Sequence, residues 1–236
     1  MVDKTKRHLA MVFHRFLTGE NKAPRITIRV NGDKVQAWDP PFVRHEPGTQ
    51  QLATQRFELE SAAGVGAVQL RRYILPGKRT FSSVDAFESA AGPLNWNRQQ
   101  GLYVYREKNR LVQWGGSWAG TRGIDEHTKL ARASLDFTST LDEVFNINVA
   151  KMRVSVPAQL KQMLDRPVSE LCILADRVYR RQKNADTVDA DPDDDVVERE
   201  DKAPNEWATV RSWIGAEVGR HPIRGTTRVF LKKSWA

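Results

Sequence analysis

Residues 99–116 read QQGLYVYREKNRLVQWGG and residues 130–137 read LARASLDF. In the first stretch Leu102 to Tyr105 and Leu111 to Trp114 are two strand-forming runs, divided by the charged turn Glu107-Lys108-Asn109, which is the pattern of a hairpin. In the second, Ala131, Ala133, Leu135 and Phe137 fall on one face of a strand and Arg132, Ser134 and Asp136 on the other. The middle of the chain is therefore expected to be sheet.

Outward toward the N-terminus, Phe57 to Leu59 and Val68 to Leu75 predict two more strands, with Gly64 and Gly66 breaking the chain between them. Gly64-Val65-Gly66 is too short for a phosphate-binding loop and reads as a turn. A short helix is expected over Val84 to Ala91. Residues 39–53, with Asp39, Pro40, Pro41, Pro47 and Gly48, cannot sustain regular structure. Ile26, Ile28 and Val30 alternate with Arg25, Thr27 and Arg29, and Asn31-Gly32 supplies the positive φ angles of a tight hairpin before Val35 and Trp38. Leu9, Val12, Phe13, Phe16 and Leu17 lie at helical spacing ahead of Gly19, predicting an amphipathic helix.

Outward toward the C-terminus, Phe145, Ile147 and Val149 alternate with Asn146 and Asn148, which predicts a strand, and a further strand is expected through Met152, Val154 and Val156. Pro157 and Pro167 each suit the first turn of a helix, where the missing N–H costs nothing. The expectation is a short helix and then a longer one to about Lys183, with Leu171, Leu174, Ala175 and Val178 as its apolar stripe. Trp207, Val210, Ile214 and Val218 predict another helix, and Val229 to Leu231 a strand. Strands outnumber helices and hairpins recur, so the expected fold class is α+β, a mostly antiparallel sheet with helices packed on one face.

At 236 residues, 40% apolar and 28% charged, the chain has the composition of a globular protein able to build a sizeable core. It lacks an apolar run near the ~20 residues that span a bilayer, and His8, His14 and Arg15 interrupt the N-terminal apolar stretch where a secretory signal would be continuous. Cys172 is the single cysteine. It cannot form an internal disulfide, sits in an apolar stretch, and fits a cytoplasmic protein with no membrane partner. The net charge is +8. It is unevenly spread, because residues 186–201 hold nine acidic residues against Arg199 alone, a net −8 that leaves +16 for the remainder. That window is expected to be a disordered linker, and so basic a remainder attracts polyanions, of which nucleic acid is the commonest.

Self-contained catalytic sets are scarce. The five histidines, His8, His14, His45, His127 and His221, are dispersed, and none belongs to a cluster with recurrent metal-ligand spacing. Asp125-Glu126-His127 is the nearest approach to a site, and as adjacent residues of a surface loop they are expected to point apart. Seven tryptophans, Trp38, Trp96, Trp114, Trp118, Trp207, Trp213 and Trp235, are expected to fill the core rather than to stack on bases. A Walker-type lysine loop, a nucleophile elbow and a kinase signature are all missing from the sequence.

The ordered series QQGLYVYREKNRLVQWGG, LARASLDF, FNINVAKMRVSVP (residues 145–157) and PAQLKQML (residues 157–164) resembles the second, transducer domain of MutL-type mismatch-repair ATPases and their relatives in the GHKL superfamily, which includes gyrase and the large heat-shock chaperones. The resemblance covers most of residues 4–165, the opening helix and Ile26 hairpin included. In MutL-type members, strands of this domain lead to a loop whose lysine reaches the γ-phosphate of ATP bound in the preceding domain, and a strand and a helix follow. The resemblance implies that role for Lys151, in Asn148-Val149-Ala150-Lys151, with Asn148 as its cofactor-facing neighbour. The MutL loop carries two extra residues, His-Pro, before its Ala-Lys, so Arg153 and Lys129 are alternative positions for the same function. An ammonium at such a site gains charge-assisted hydrogen bonds only while the terminal phosphate is present, so it senses hydrolysis as well as assisting it.

The superfamily's catalytic Glu with its Mg²⁺-binding Asn, and its Asp-Gly-Gly turn for adenine, do not occur here. The chain is thus expected not to be an active ATPase alone and to meet ATP and Mg²⁺ only through a separate N-terminal ATPase domain, in cis or in trans. DNA and an ATP-dependent dimer are further expected partners. The alternative is a nucleic-acid-binding module without a catalytic role. The expected organisation is a connecting helix and hairpin over 1–38, a transducer-like domain over 39–184, the acidic linker over 185–204 and a C-terminal extension over 205–236.

Overall fold

The computed structural model describes residues 2–20, 23–38, 46–92, 95–107, 110–147, 154–189 and 227–229. The expected helix over Trp207 to Val218, residues 190–201 of the acidic window, and Asn148, Lys151 and Arg153 lie outside them.

The amphipathic N-terminal segment forms α1 (Val2–Val12) and α2 (His14–Thr18), ended by Gly19 in the left-handed conformation with φ 76°. Leu9, Ala10 and Leu17 face Ile28 and Val30 of β1 (Ile26–Val30), which turns through Asn31 (φ 52°) and Gly32 (φ 87°) into β2 (Asp33–Lys34). Both central turn residues have positive φ, as the Asn-Gly pair requires. On its other edge β1 pairs in parallel with β9 (Thr227–Val229), two residues earlier than the strand expected at Val229 to Leu231.

The larger sheet contains β3 (Gln50–Gln51), β4 (Gln55–Ser61), β5 (Gly64–Ile74), β6 (Gly101–Arg106), β7 (Arg110–Gln113) and β8 (Ala131–Phe137). Its order is β3-β5-β8-β6-β7, with β4 also on β5. Every pairing is antiparallel except β6 with β8, which is parallel, so the sheet is mixed and mostly antiparallel. The turn between β4 and β5 is made by Ala62 and Ala63, and Gly64 and Gly66 lie within β5 rather than breaking the chain. Gly66 is required for space: a Cβ there would stand 2.4 Å from Leu141 Cγ. The expected helix over Val84 to Ala91 forms as α3 (Val84–Ala91), capped by the Ser83 hydroxyl accepting from Ala86 N–H. The short α4 (Trp96–Gln99) follows it.

Three expectations are corrected. First, Pro157 and Pro167 do not start two helices. A single helix, α5 (Ala158–Asp189), runs through Pro167. Leu160, Leu164, Val168, Leu171, Cys172 and Ala175 form one continuous buried stripe across the proline, and this burial outweighs the lost N–H, while Arg72 Nη1 donates to the Pro167 carbonyl at 3.2 Å. Second, helices cover both faces of the sheet. The stripe of α5 packs on Ala131, Ala133, Leu135 and Phe137, whereas Met11 and Val12 of α1 pack on Tyr103, Tyr105 and Leu111 of the opposite face. Third, Phe145 does not begin a strand. It closes a turn in which Asn146 has φ 48°, and Val154 to Pro157 are without regular structure.

Candidate functional site

The connection from β8 to α5 is where the sequence resemblance places its lysine, and both of its ends are fastened. Leaving β8, the chain makes a 3₁₀ turn over Ser139–Leu141 that puts the fully buried Leu141 against Gly66. The Phe145 ring then stacks on Phe137, with centroids 4.1 Å apart and planes 9° from parallel. Ser155 N–H donates back to the Phe145 carbonyl at 3.0 Å, and Val156 re-enters the core. Asn148, Lys151 and Arg153 belong to the segment closed by that bond.

Charged groups on the neighbouring hairpin brace the outgoing end. Glu107, at φ 52° in the β6–β7 turn, donates its N–H to the Phe137 carbonyl at 2.9 Å and accepts Ser139 N–H on its carboxylate at 2.5 Å. The Ser139 hydrogen bond holds the Glu107 carboxyl below its ordinary range. Arg106 grips Asp142 in a fork, Nε to Oδ1 at 2.7 Å and Nη2 to Oδ2 at 2.6 Å, which raises the Arg106 pKa. From β4, the Ser61 hydroxyl donates to the Thr140 carbonyl at 2.8 Å.

Beneath the same strand lies a buried polar network that the alternation of Arg132, Ser134 and Asp136 does not announce, because an alternating pattern leaves open whether its polar face meets water or another element. Here α1 and α2 cover it. Asp136 accepts from Arg15 Nη1 at 2.6 Å and from Arg71 Nη1 at 2.9 Å. The Arg15 guanidinium carbon sits 3.4 Å from the centre of the Tyr105 ring. His14 donates from Nδ1 to the Met11 carbonyl at 2.7 Å, which leaves its Nε2 to face the Tyr105 hydroxyl at 3.4 Å. An arginine at position 15, inside the apolar stretch of the first helices, is the sequence signal for this network.

Lys129 stands at the opposite end of β8. Its Nζ is 3.6 Å from Glu126 Oε1 and 5.3 Å from the centre of the Tyr179 ring on α5. A seven-residue strand spans about 20 Å at ~3.3 Å per residue, so the structure separates Lys129 from the β8–α5 connection. The adjacent triplet Asp125-Glu126-His127 is exposed as expected, but its ends meet: Asp125 Oδ1 accepts both the backbone N–H and Nδ1 of His127 at 2.8 Å, because a 3₁₀ turn brings the two side chains together. That backbone bond, then the ring contact, holds the Asp125 carboxyl low.

Cys172 is fully buried, and burial pushes its thiol up to about 11, as befits a small core residue. Of the four described tryptophans, Trp118 is fully buried and Trp38, Trp96 and Trp114 are half-buried, which for these four agrees with packing rather than exposed stacking platforms; Trp207, Trp213 and Trp235 lie outside the described residues. Among the described residues no group of three or more His, Cys, Asp or Glu could hold a metal ion, and no helix is long and apolar enough to cross a membrane. Compared with known proteins, the chain matches no family model, no curated protein and no solved structure.

Proposed function

We propose that this chain is the transducer half of a GHKL-type ATP-driven switch, offering Lys151 to the γ-phosphate of ATP held on a separate ATPase domain. The observation that supports this reading is the double anchorage of the β8–α5 connection: Phe145 on Phe137 and Leu141 under Gly66 on one side, Ser155 bonded to Phe145 and Val156 in the core on the other. A lysine placed between two such anchors has its reach limited by the fold, which is what positioning an ammonium against a transferring phosphoryl group needs. The same strand continues into the Arg15–Asp136 contact, and the 32-residue α5 leaves from the other side, so force applied at the phosphate has two rigid elements to act on.

The test is affinity labelling of the protein assembled with its ATP-binding domain, using an ATP analogue with an amine-reactive γ-phosphate. Label at Lys151 supports the proposal. Label confined to other lysines, or to the ATP-binding domain alone, overturns it.

A nucleic-acid-binding reading has one observation in its favour. Arg29 and Lys34 are register partners on the exposed face of the β1–β2 hairpin, two like charges held opposite each other, while neighbouring Asp33 is engaged by Lys6 at 2.6 Å. Like charges directly opposed destabilise a ribbon, and a phosphodiester backbone would relieve them. DNA binding whose salt slope falls by about one for each of Arg29→Ala and Lys34→Ala would support this reading; unchanged slopes would end it.

A further inference from the structure

Between α5 and the start of β4 lies a cavity of about 490 Å³, lined by Gln55, Met163, Arg166, Pro167 and Glu170. Small-molecule sites run from roughly 300 to 1,000 Å³, so the space is enough for a small metabolite.

The charges on its wall are not paired with each other. Arg166 and Glu170 stand four residues apart on α5, the spacing at which opposite charges meet on a helix surface. Instead, Glu170 Oε2 accepts from Arg72 Nη1 at 2.5 Å. Arg72 is a buried residue of β5, fixed in turn by donating to the Pro167 carbonyl at 3.2 Å and, from Nη2, to the Ala53 carbonyl at 3.3 Å. Glu170 is thus held in place at the cavity wall with Oε1 left to accept. Arg166 has no ion-pair or hydrogen-bond partner among the described residues.

A cation and an anion that line one cavity without joining select an occupant that carries both charges. A simple anion drawn to Arg166 would also meet the Glu170 carboxylate, and a simple cation would meet the reverse. In an α-amino acid the carboxylate and the ammonium are one carbon apart, and side chains at this helical spacing, with Cβ atoms roughly 5–6 Å apart, can bracket them. The Arg166 fork matches the two carboxylate oxygens, and Glu170 Oε1 can take a proton of the ammonium.

We propose that this cavity binds a free α-amino acid with a side-chain amide, its carboxylate on Arg166, its ammonium on Glu170 and its amide facing Gln55. Gln55 is the first residue of β4, its backbone set by pairing with Leu70, and its amide both donates and accepts. Met163 and Pro167 supply the apolar wall for the ligand's methylenes. The site is independent of the nucleotide reading.

The experiment is equilibrium binding of radiolabelled L-glutamine to the full chain, with glutaramate, which lacks the ammonium, and glutamine methyl ester, which lacks the carboxylate, as competitors. Saturable binding is expected, and each analogue should compete at least about tenfold more weakly than unlabelled L-glutamine. Arg166 is exposed, so Arg166→Gln should fold normally, and it should weaken Kd roughly ten- to a hundredfold. Glu170 is tested through glutaramate rather than by substitution, because removing its carboxylate would strand the buried Arg72. Absence of saturable binding, glutaramate competing as well as L-glutamine, or an unchanged Kd in Arg166→Gln would overturn the site.

Discussion

Arg15 donates from Nη1 to Asp136 Oδ1 across 2.6 Å with both side chains out of water, and this one contact ties α2 to the strand that runs into the β8–α5 connection. A buried pair of this kind is costly to break from one side, because the survivor is left charged in a poor solvent. Asp136→Ala strands Arg15 and Arg71 together, and a loss of about 3–5 kcal/mol in urea unfolding is expected. Removing both members should hurt less than removing one: Arg15→Met with Asp136→Leu is expected to unfold at higher urea than Asp136→Ala. A double variant weaker than the single would mean that the pair contributes net stability beyond mutual compensation.

Gly66 and Leu141 form a second lock on the same connection. A Cβ at position 66 would stand 2.4 Å from Leu141 Cγ, so the Leu141 side chain must shift to admit it. Gly66→Ala is expected to cost about 1–3 kcal/mol, as overpacking typically does. Leu141→Ala alone opens a cavity and also destabilises, yet the two together should be strongly non-additive, since each relieves the other's defect. Additive losses in a double-mutant cycle would show that the two positions do not meet.

Much of the local structure was legible because it is written in local chemistry. Asn31-Gly32, the Glu107 turn, the helix of Val84 to Ala91 and the alternation of β8 each state a backbone preference within a few residues. What failed depended on distant partners. Pro167 reads as a helix start until the stripe from Leu160 to Ala175 is seen packed on the sheet as one surface. Phe145, Ile147 and Val149 alternate like a strand, but the Phe145 ring is worth more stacked on Phe137, and the backbone turns to put it there. The covered face of Arg132, Ser134 and Asp136 was invisible for the same reason. The lysine-bearing segment came from resemblance alone, and Lys151 lies outside the described residues.

Pro167 in the interior of α5 gives a stability prediction of opposite sign. Proline there removes the N–H that would bond the Met163 carbonyl. Pro167→Ala restores it while keeping the carbonyl that accepts from Arg72 Nη1 at 3.2 Å. A gain of about 1–3 kcal/mol is expected from chemical denaturation, less than the full helix-interior penalty because packing of the ring is lost. A loss instead would mean that the ring's burial against the sheet dominates.

Glu107 sets an acid-side limit. Its carboxyl is held below the ordinary 4.5, first by Ser139. A folded pKa below the unfolded one contributes stability that is full above about 4.5 and is lost as pH falls through the folded value. The group is largely exposed, so the contribution is small, under about 1 kcal/mol once solvent screening is allowed for. Glu107→Gln should leave Tm near neutral pH slightly lower and flatten its fall between pH 5 and 3, an interval set by that ordinary value. Parallel Tm curves for the two proteins would remove the Ser139 contact from the account.

The functional proposal stands or falls on three side chains. In the protein assembled with its ATPase domain, Lys151→Ala is expected to lower kcat while leaving ATP affinity nearly unchanged, because the ammonium acts on charge that develops at the γ-phosphate rather than on the bound ground state. Loss of one preorganised contact of this kind typically costs about 2.7–4 kcal/mol, or roughly 10²–10³ in rate. Lys129→Ala should turn over at the parental rate, since Lys129 lies at the start of β8, beside Glu126 and under Tyr179, with the length of the strand between it and the connection. Arg153→Ala is the remaining control, two residues from Lys151 in sequence and able to take its role if the register is shifted. A defect in Arg153→Ala with a normal Lys151→Ala moves the contact without abolishing the switch. Normal turnover in all three would show that the β8–α5 connection carries no group that acts on ATP, and the transducer reading would fall with it.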